Sequence, residues 1–218
     1  MKLQKSGGFA VLASICVYIV FMLSAMPIFS SVNLNDPADV MAIMSSIASG
    51  RLYVLLLLWQ VYLLLNFFVI VALHERMHSD SPYLSHMMLM AALASAAIGI
   101  TGTMVDIKSI EMIVTAQDHS AFRSYWSLRQ GLKEASDLAF GWGFLFAGGA
   151  ILVTRSFSRV LGWLATATGI LLIPVCFPVH FGLKPIYAIL LIIMYLTASI
   201  WLGVALLRQK QPVPQPMQ

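Results

Sequence analysis

Six runs of mostly apolar residues dominate the chain: 9–30, 52–73, 83–105, 138–154, 160–179 and 185–207. Each approaches the roughly 20 residues that a helix needs to cross about 30 Å of hydrocarbon. One water-soluble core cannot absorb them. Of 218 residues, 60% are hydrophobic and 10% charged, against about 25% charged in ordinary soluble domains, so the apolar surface must face a bilayer. The expected fold is an all-α, six-transmembrane-helix bundle over 1–208 with a flexible tail at 209–218, which holds three prolines and no apolar periodicity. The lipid bilayer is its first partner. A net charge of +4 fits membrane topology, and no basic patch with interleaved aromatics points to nucleic acid. Cys16 and Cys176 lie inside apolar runs and form no disulfide framework.

The first run, Phe9 to Ser30, exceeds a signal-peptide core of about 7 to 15 residues and reads as a retained helix. Pro27 and the Asn33, Asn35, Asp36, Pro37 cluster end it, and Asp36 then caps a short amphipathic helix to about Ser49. The second run ends in a polar hairpin, His74 to Pro82. Beyond Val105, helix-compatible sequence continues to about Gln117. Past His119, the recurrence of Ala121, Tyr125, Leu128, Leu132, Ala135 and Ala139 predicts a helix-packing seam. The third and fourth helices should therefore be an antiparallel pair with a shared extramembrane extension. Pro174 and Pro178 should kink or end the fifth helix.

Six spans place both termini on one side. That side carries Lys2, Lys5, Arg76, Arg155, Arg159, Arg208 and Lys210; the other carries Arg51, Lys108, Arg123, Arg129, Lys133 and Lys184. Four of the latter sit in the extension, where the positive-inside rule counts less, so both termini and the tail are assigned to the cytoplasm. Small residues four apart (Ala92 and Ala96, Ser95 and Gly99, Gly143 and Ala147, Ala165 and Gly169) suit close helix packing in lipid.

Three groups of residues carry candidate chemistry. His74-Glu75-Arg76-Met77-His78 matches HExxH, which on a helix sets two imidazoles one turn apart and can hold Zn²⁺, with Glu75 as catalytic base. A third ligand is needed; Asp80 and His86 are nearest, with Pro82 between them. The plainer reading is a solvated helix end, so no cofactor is expected and zinc is the alternative. At the opposite boundary, Asp106 and Asp137 should reach similar depth, with Lys133, Lys108, Glu134, Arg51, His180 and Lys184 at nearby levels. Charges there pair, snorkel or line water. They form either an ion-pair girdle or the mouth of a cavity, for which Asp106, Lys133, Asp137 and His180 are the ligand-binding candidates. Within the second run, Gln60 and Asn66 need hydrogen-bond partners and suit helix-to-helix bonding. The histidines lie near helix ends or outside the runs, which disfavours a two-histidine haem.

The string Asp137-Leu-Ala-Phe-Gly-Trp-Gly143-Phe-Leu-Phe-Ala-Gly148, with Arg155-Ser156 and Arg159-Val-Leu-Gly162-Trp after it, resembles the bacterial six-helix membrane proteins of the domain of unknown function 4386 family. In that pattern a Pro-Arg-x-Leu-Gly turn opens the fifth helix, whereas Ser158 stands at the proline position here. The resemblance implies a bacterial inner-membrane bundle and supplies no reaction. The expected function is binding of a small or lipophilic ligand, or service as a non-catalytic membrane component, self-associated or in a membrane complex. The alternatives are a membrane zinc hydrolase using His74, His78 and Glu75, and a small-molecule transporter.

Overall fold

A computed structural model describes residues 2–29, 39, 49–116, 119–175 and 184–208, and all of its described secondary structure is helical. The six helices are α1 (Lys2–Phe29), α2 (Ser49–Met77), α3 (Pro82–Ala116), α4 (His119–Thr154), α5 (Arg159–Val175) and α6 (Lys184–Arg208). Five of them are long and apolar enough to cross a membrane; α5 is a shorter apolar helix. The short amphipathic helix expected up to Ser49, the fifth-run end at Pro178 and Val179, and the tail fall outside the described residues apart from Asp39 and Ser49, both helical. Pro174 lies within α5, which runs one residue beyond it.

Local chemistry sets the helix ends. The polar sequence after Met77 closes α2 in a tight turn, in which the Ser81 N–H donates to the Met77 carbonyl at 2.9 Å. Pro82 then opens α3 at the first helical position, where its missing N–H costs nothing. At the end of α4, Arg155 takes a left-handed conformation with φ 54°, a position that glycine usually fills. Its N–H still donates to the Ile151 carbonyl at 3.0 Å. Ser158 caps α5: its Oγ accepts from the Leu161 N–H at 3.3 Å. A proline there would forfeit the cap.

Each helix packs on its neighbours in sequence, and α6 packs on α1. The result is a closed ring. Neighbours run antiparallel: Trp59 and Tyr62 of α2 meet Phe21 and Tyr18 of α1, and Gly8 near the start of α1 lies against Leu207 near the end of α6. The two ends of the ordered ring therefore sit together, beside the turns at 78–81 and 155–158. Below, this is the terminal end. The closest backbone approach joins α4 to α5. A Cβ on Gly148 would lie 2.6 Å from the Thr166 nitrogen, and one on Gly169 would lie 2.7 Å from the Leu145 nitrogen. Of these two, the small-residue spacing identified Gly169.

The ring is apolar on both faces. Leu73, Met77, Met88, Ile151 and Leu161 are buried at the terminal end, while Phe9, Leu23, Val153 and Trp163 point outward, each about two-thirds exposed. Such an outer belt belongs in lipid. With 35 and 36 residues, α3 and α4 are each about 53 Å long, and the 28 residues of α1 make about 42 Å. The excess lies at the non-terminal end. There the packed face of α4 differs from the expected seam: Phe122 and Trp126 are buried and Leu128 is 56% exposed. The two aromatic rings remove more apolar area than leucine, and this rotation brings Arg129 to Asp106.

Candidate functional site

The ring holds a half-open cavity of about 420 Å³ to which every helix contributes. Tyr18 and Phe21 come from α1, Trp59, Tyr62 and Asn66 from α2, Ser95 from α3, Ser136 and Phe140 from α4, Leu172 from α5 and Tyr195 from α6. A smaller void of about 50 Å³ shares Asn66, Ile70, Ala92 and Phe140 with it and extends among the apolar residues Val11, Leu73 and Ile151. A volume in the low hundreds of Å³, mostly apolar with a few convergent polar groups, is typical of small-molecule sites.

One wall is an aromatic cluster. The Tyr62 hydroxyl donates to the Tyr195 hydroxyl at 2.8 Å, and Tyr195 donates to Asn66 Oδ1 at 3.4 Å. Tyr18 packs on both rings, with centroids at 5.5 and 5.9 Å, and Trp59 stacks on Tyr62 at 5.1 Å. These tyrosines tie α1, α2 and α6 together. Sequence reasoning missed them, although a tyrosine midway along an apolar run needs a partner for its hydroxyl. Of the two amides it did single out, Asn66 is bonded across helices through Tyr195. The Gln60 Nε2 is buried with no partner among the described residues.

The opposite wall carries a serine pair. Ser136 Oγ donates to the Ser95 carbonyl at 2.9 Å and lies 3.3 Å from Ser95 Oγ. At the non-terminal end of the cavity, Lys133 and Asp137 both reach the lining and are ion-paired at 2.7 Å across one helical turn. Lys133 is half exposed there, so the cavity opens outward at this end.

Among the described residues, the two boundary carboxylates Asp106 and Asp137 belong to separate ion pairs. Asp106, whose side chain is 12% exposed, bonds Arg129 Nε at 2.9 Å and accepts from the Tyr125 hydroxyl at 2.6 Å. Arg129 in turn lies over the Trp126 ring at 4.8 Å. This assembly is not part of the cavity lining; it pins α3 to α4 beyond it. His180 lies outside the described residues.

At the terminal end the histidines of the polar hairpin converge. One ring nitrogen each from His74, His78 and His86 lies within 4.8 Å of the other two, and the ring centroids are 4.7 to 5.1 Å apart. Pro82 is what brings His86 in, because α3 starts there and the fifth residue of the new helix turns back toward α2. Glu75 is exposed, and neither it nor Asp80 belongs to the cluster. Arg76 points the other way, toward the α4–α5 turn, with its guanidinium 5.1 Å from the Phe157 ring centre.

Comparison with family models, with curated proteins and with solved structures yields no match for the chain.

Proposed function

We propose that this chain is a bacterial inner-membrane protein of six spans, with both termini in the cytoplasm, that binds a small lipophilic ligand at the centre of its helix ring. The carrying observation is the cavity of about 420 Å³ that all six helices line. Its shape and chemistry favour an apolar body held by Trp59, Phe140 and Tyr195, with a polar head at the Lys133–Asp137 pair. Although α5 has only 17 described residues, its place between α4 and α6 in the antiparallel order of the ring supports a sixth traverse. The excess length of α3 and α4 is assigned to a projection on the outer face. The likeness of 137–163 to the 4386 family agrees with this placement.

An alkyl chain with either head charge tests the reading. Octanoate and octylamine are titrated into a variant that keeps Trp59 and carries phenylalanine at Trp126, Trp142, Trp163 and Trp201. Saturable change in Trp59 emission is expected with at least one of them, and Ala96→Phe, which fills the lining, should abolish it while the protein stays folded. Non-saturating change, or the same saturation in the filled variant, would place the probe in the surrounding detergent and end the proposal.

A further inference from the structure

We propose that His74, His78 and His86 form a three-histidine site for a divalent transition-metal ion of the zinc type, bound through Nε2 atoms with its fourth position open to water. The inference is independent of the central cavity. It rests on hydrogen bonds that tie the three rings to Ser85, a residue with 0% exposure, and to the Pro82 carbonyl.

His74 Nδ1 lies 3.1 Å from the Ser85 carbonyl oxygen, and His86 Nδ1 lies 2.8 Å from the Pro82 carbonyl oxygen. A carbonyl only accepts, so both Nδ1 atoms carry the proton. Ser85 Oγ donates its single proton to the Pro82 carbonyl at 3.0 Å. With that proton so placed, the oxygen can accept from a protonated His78 Nδ1, which lies 3.5 Å away. In that arrangement all three rings present Nε2 lone pairs. Fixing a metal-binding histidine by a carbonyl or hydroxyl at its other nitrogen is the usual outer support of such sites.

The spacing is compatible. Tetrahedral zinc with bonds of about 2.0–2.1 Å needs nitrogens roughly 3.3 Å apart; one ring nitrogen, Nδ1 or Nε2, of each histidine lies within 4.8 Å of those of the other two. Two of the three imidazoles are exposed, so rotation about their side-chain bonds can close the gap. One ligand comes from α2, one from the turn that follows it and one from α3, so the ion would clamp the hairpin between them. Three neutral imidazoles with one open position match a borderline ion such as Zn²⁺ or Co²⁺; hard ions such as Mg²⁺ or Ca²⁺ prefer oxygen ligands. Glu75 and Asp80 are outside the cluster, so the site is assigned binding and no reaction.

The full-length protein in detergent, stripped with chelator, is titrated with Zn²⁺ and with Co²⁺. One equivalent of zinc should bind and raise the unfolding temperature, and Co²⁺ should give the intense visible bands of a four-coordinate site. His86→Gln lies outside the HExxH string and changes an exposed side chain. It should abolish the zinc-dependent rise and the cobalt bands while leaving the metal-free unfolding temperature unchanged. Ser85→Ala removes only the Oγ contact to His78 and keeps the carbonyl that holds His74, so it should weaken zinc by no more than about 10-fold, and Glu75→Gln should leave affinity intact. Zinc binding unaffected by His86→Gln, or the absence of binding at micromolar zinc by folded wild-type protein, would overturn the assignment. Neither result would bear on Trp59 and the cavity.

Discussion

The Tyr62–Tyr195 bond offers the sharpest measurement of how dry the ring interior is. Tyr62 and Tyr195 are 6% and 7% exposed, so each hydroxyl depends on protein partners. Replacing Tyr195 with phenylalanine removes the acceptor of the 2.8 Å bond from Tyr62 and also the donor to Asn66 Oδ1. Two polar groups lose a partner, at a cost of about 1–3 kcal/mol. Tyr62→Phe leaves Tyr195 bonded to Asn66, so its cost should be the smaller, about 0.5–1.5 kcal/mol. The double variant removes both hydroxyls and should fall short of the summed losses. In lipid the separated helices also find partners, which holds such couplings near 0.6 kcal/mol and at most about 1.7 kcal/mol. A coupling of 1 kcal/mol is about a fivefold change in the folded-to-unfolded ratio. Equilibrium unfolding of the two single variants and the double variant in mixed micelles reads it directly. Additivity to within about 0.3 kcal/mol, or a greater loss from Tyr62→Phe than from Tyr195→Phe, would mean that water satisfies these hydroxyls and that the wall is hydrated.

Three further outcomes are expected from the same unfolding assay. Gly148→Ala drives a methyl group into the α5 backbone and should cost about 1–3 kcal/mol through overpacking, whereas Gly131→Ala meets nothing within 4 Å and should stabilise by about 0.5–1 kcal/mol; losses of equal size would refute the close α4–α5 approach. Arg129→Met takes the ion-pair partner from the largely buried Asp106, which keeps the Tyr125 hydroxyl, and should cost more than Lys133→Met, whose pair includes a half-exposed lysine and is worth at most about 1 kcal/mol; the opposite ranking would displace the first pair from its anchoring role. Arg155→Gly relieves a left-handed residue and should raise stability by about 1 kcal/mol, so a decrease would show that the arginine side chain matters more than its backbone strain.

The helix order was legible because lipid-crossing runs announce themselves by length, and the α2–α3 hairpin because Ser79-Asp80-Ser81-Pro82 can hardly continue a helix. The Lys133–Asp137 contact follows from one helical turn. Contacts between helices were harder to read. Whether Asp106 meets Asp137, or Arg129 and Tyr125 instead, depends on the axial register and rotation of α3 against α4, which Phe122 and Trp126 set by burial. The same holds for His86: the sequence brought it near His74, but only the direction in which α3 leaves Pro82 decides whether the imidazoles meet. Ser85 carried no signal at all, since its role appears only once three rings surround it.

Ring closure gives the molecule an order of assembly. Every contact along the ring except the α1–α6 seam joins helices made one after the other, so five of them can associate as they leave the ribosome and enter the bilayer. Until α6 arrives, Tyr195 is absent and the hollow is an open trough facing lipid. The sixth helix is therefore the latch that turns a curved palisade of helices into a ring.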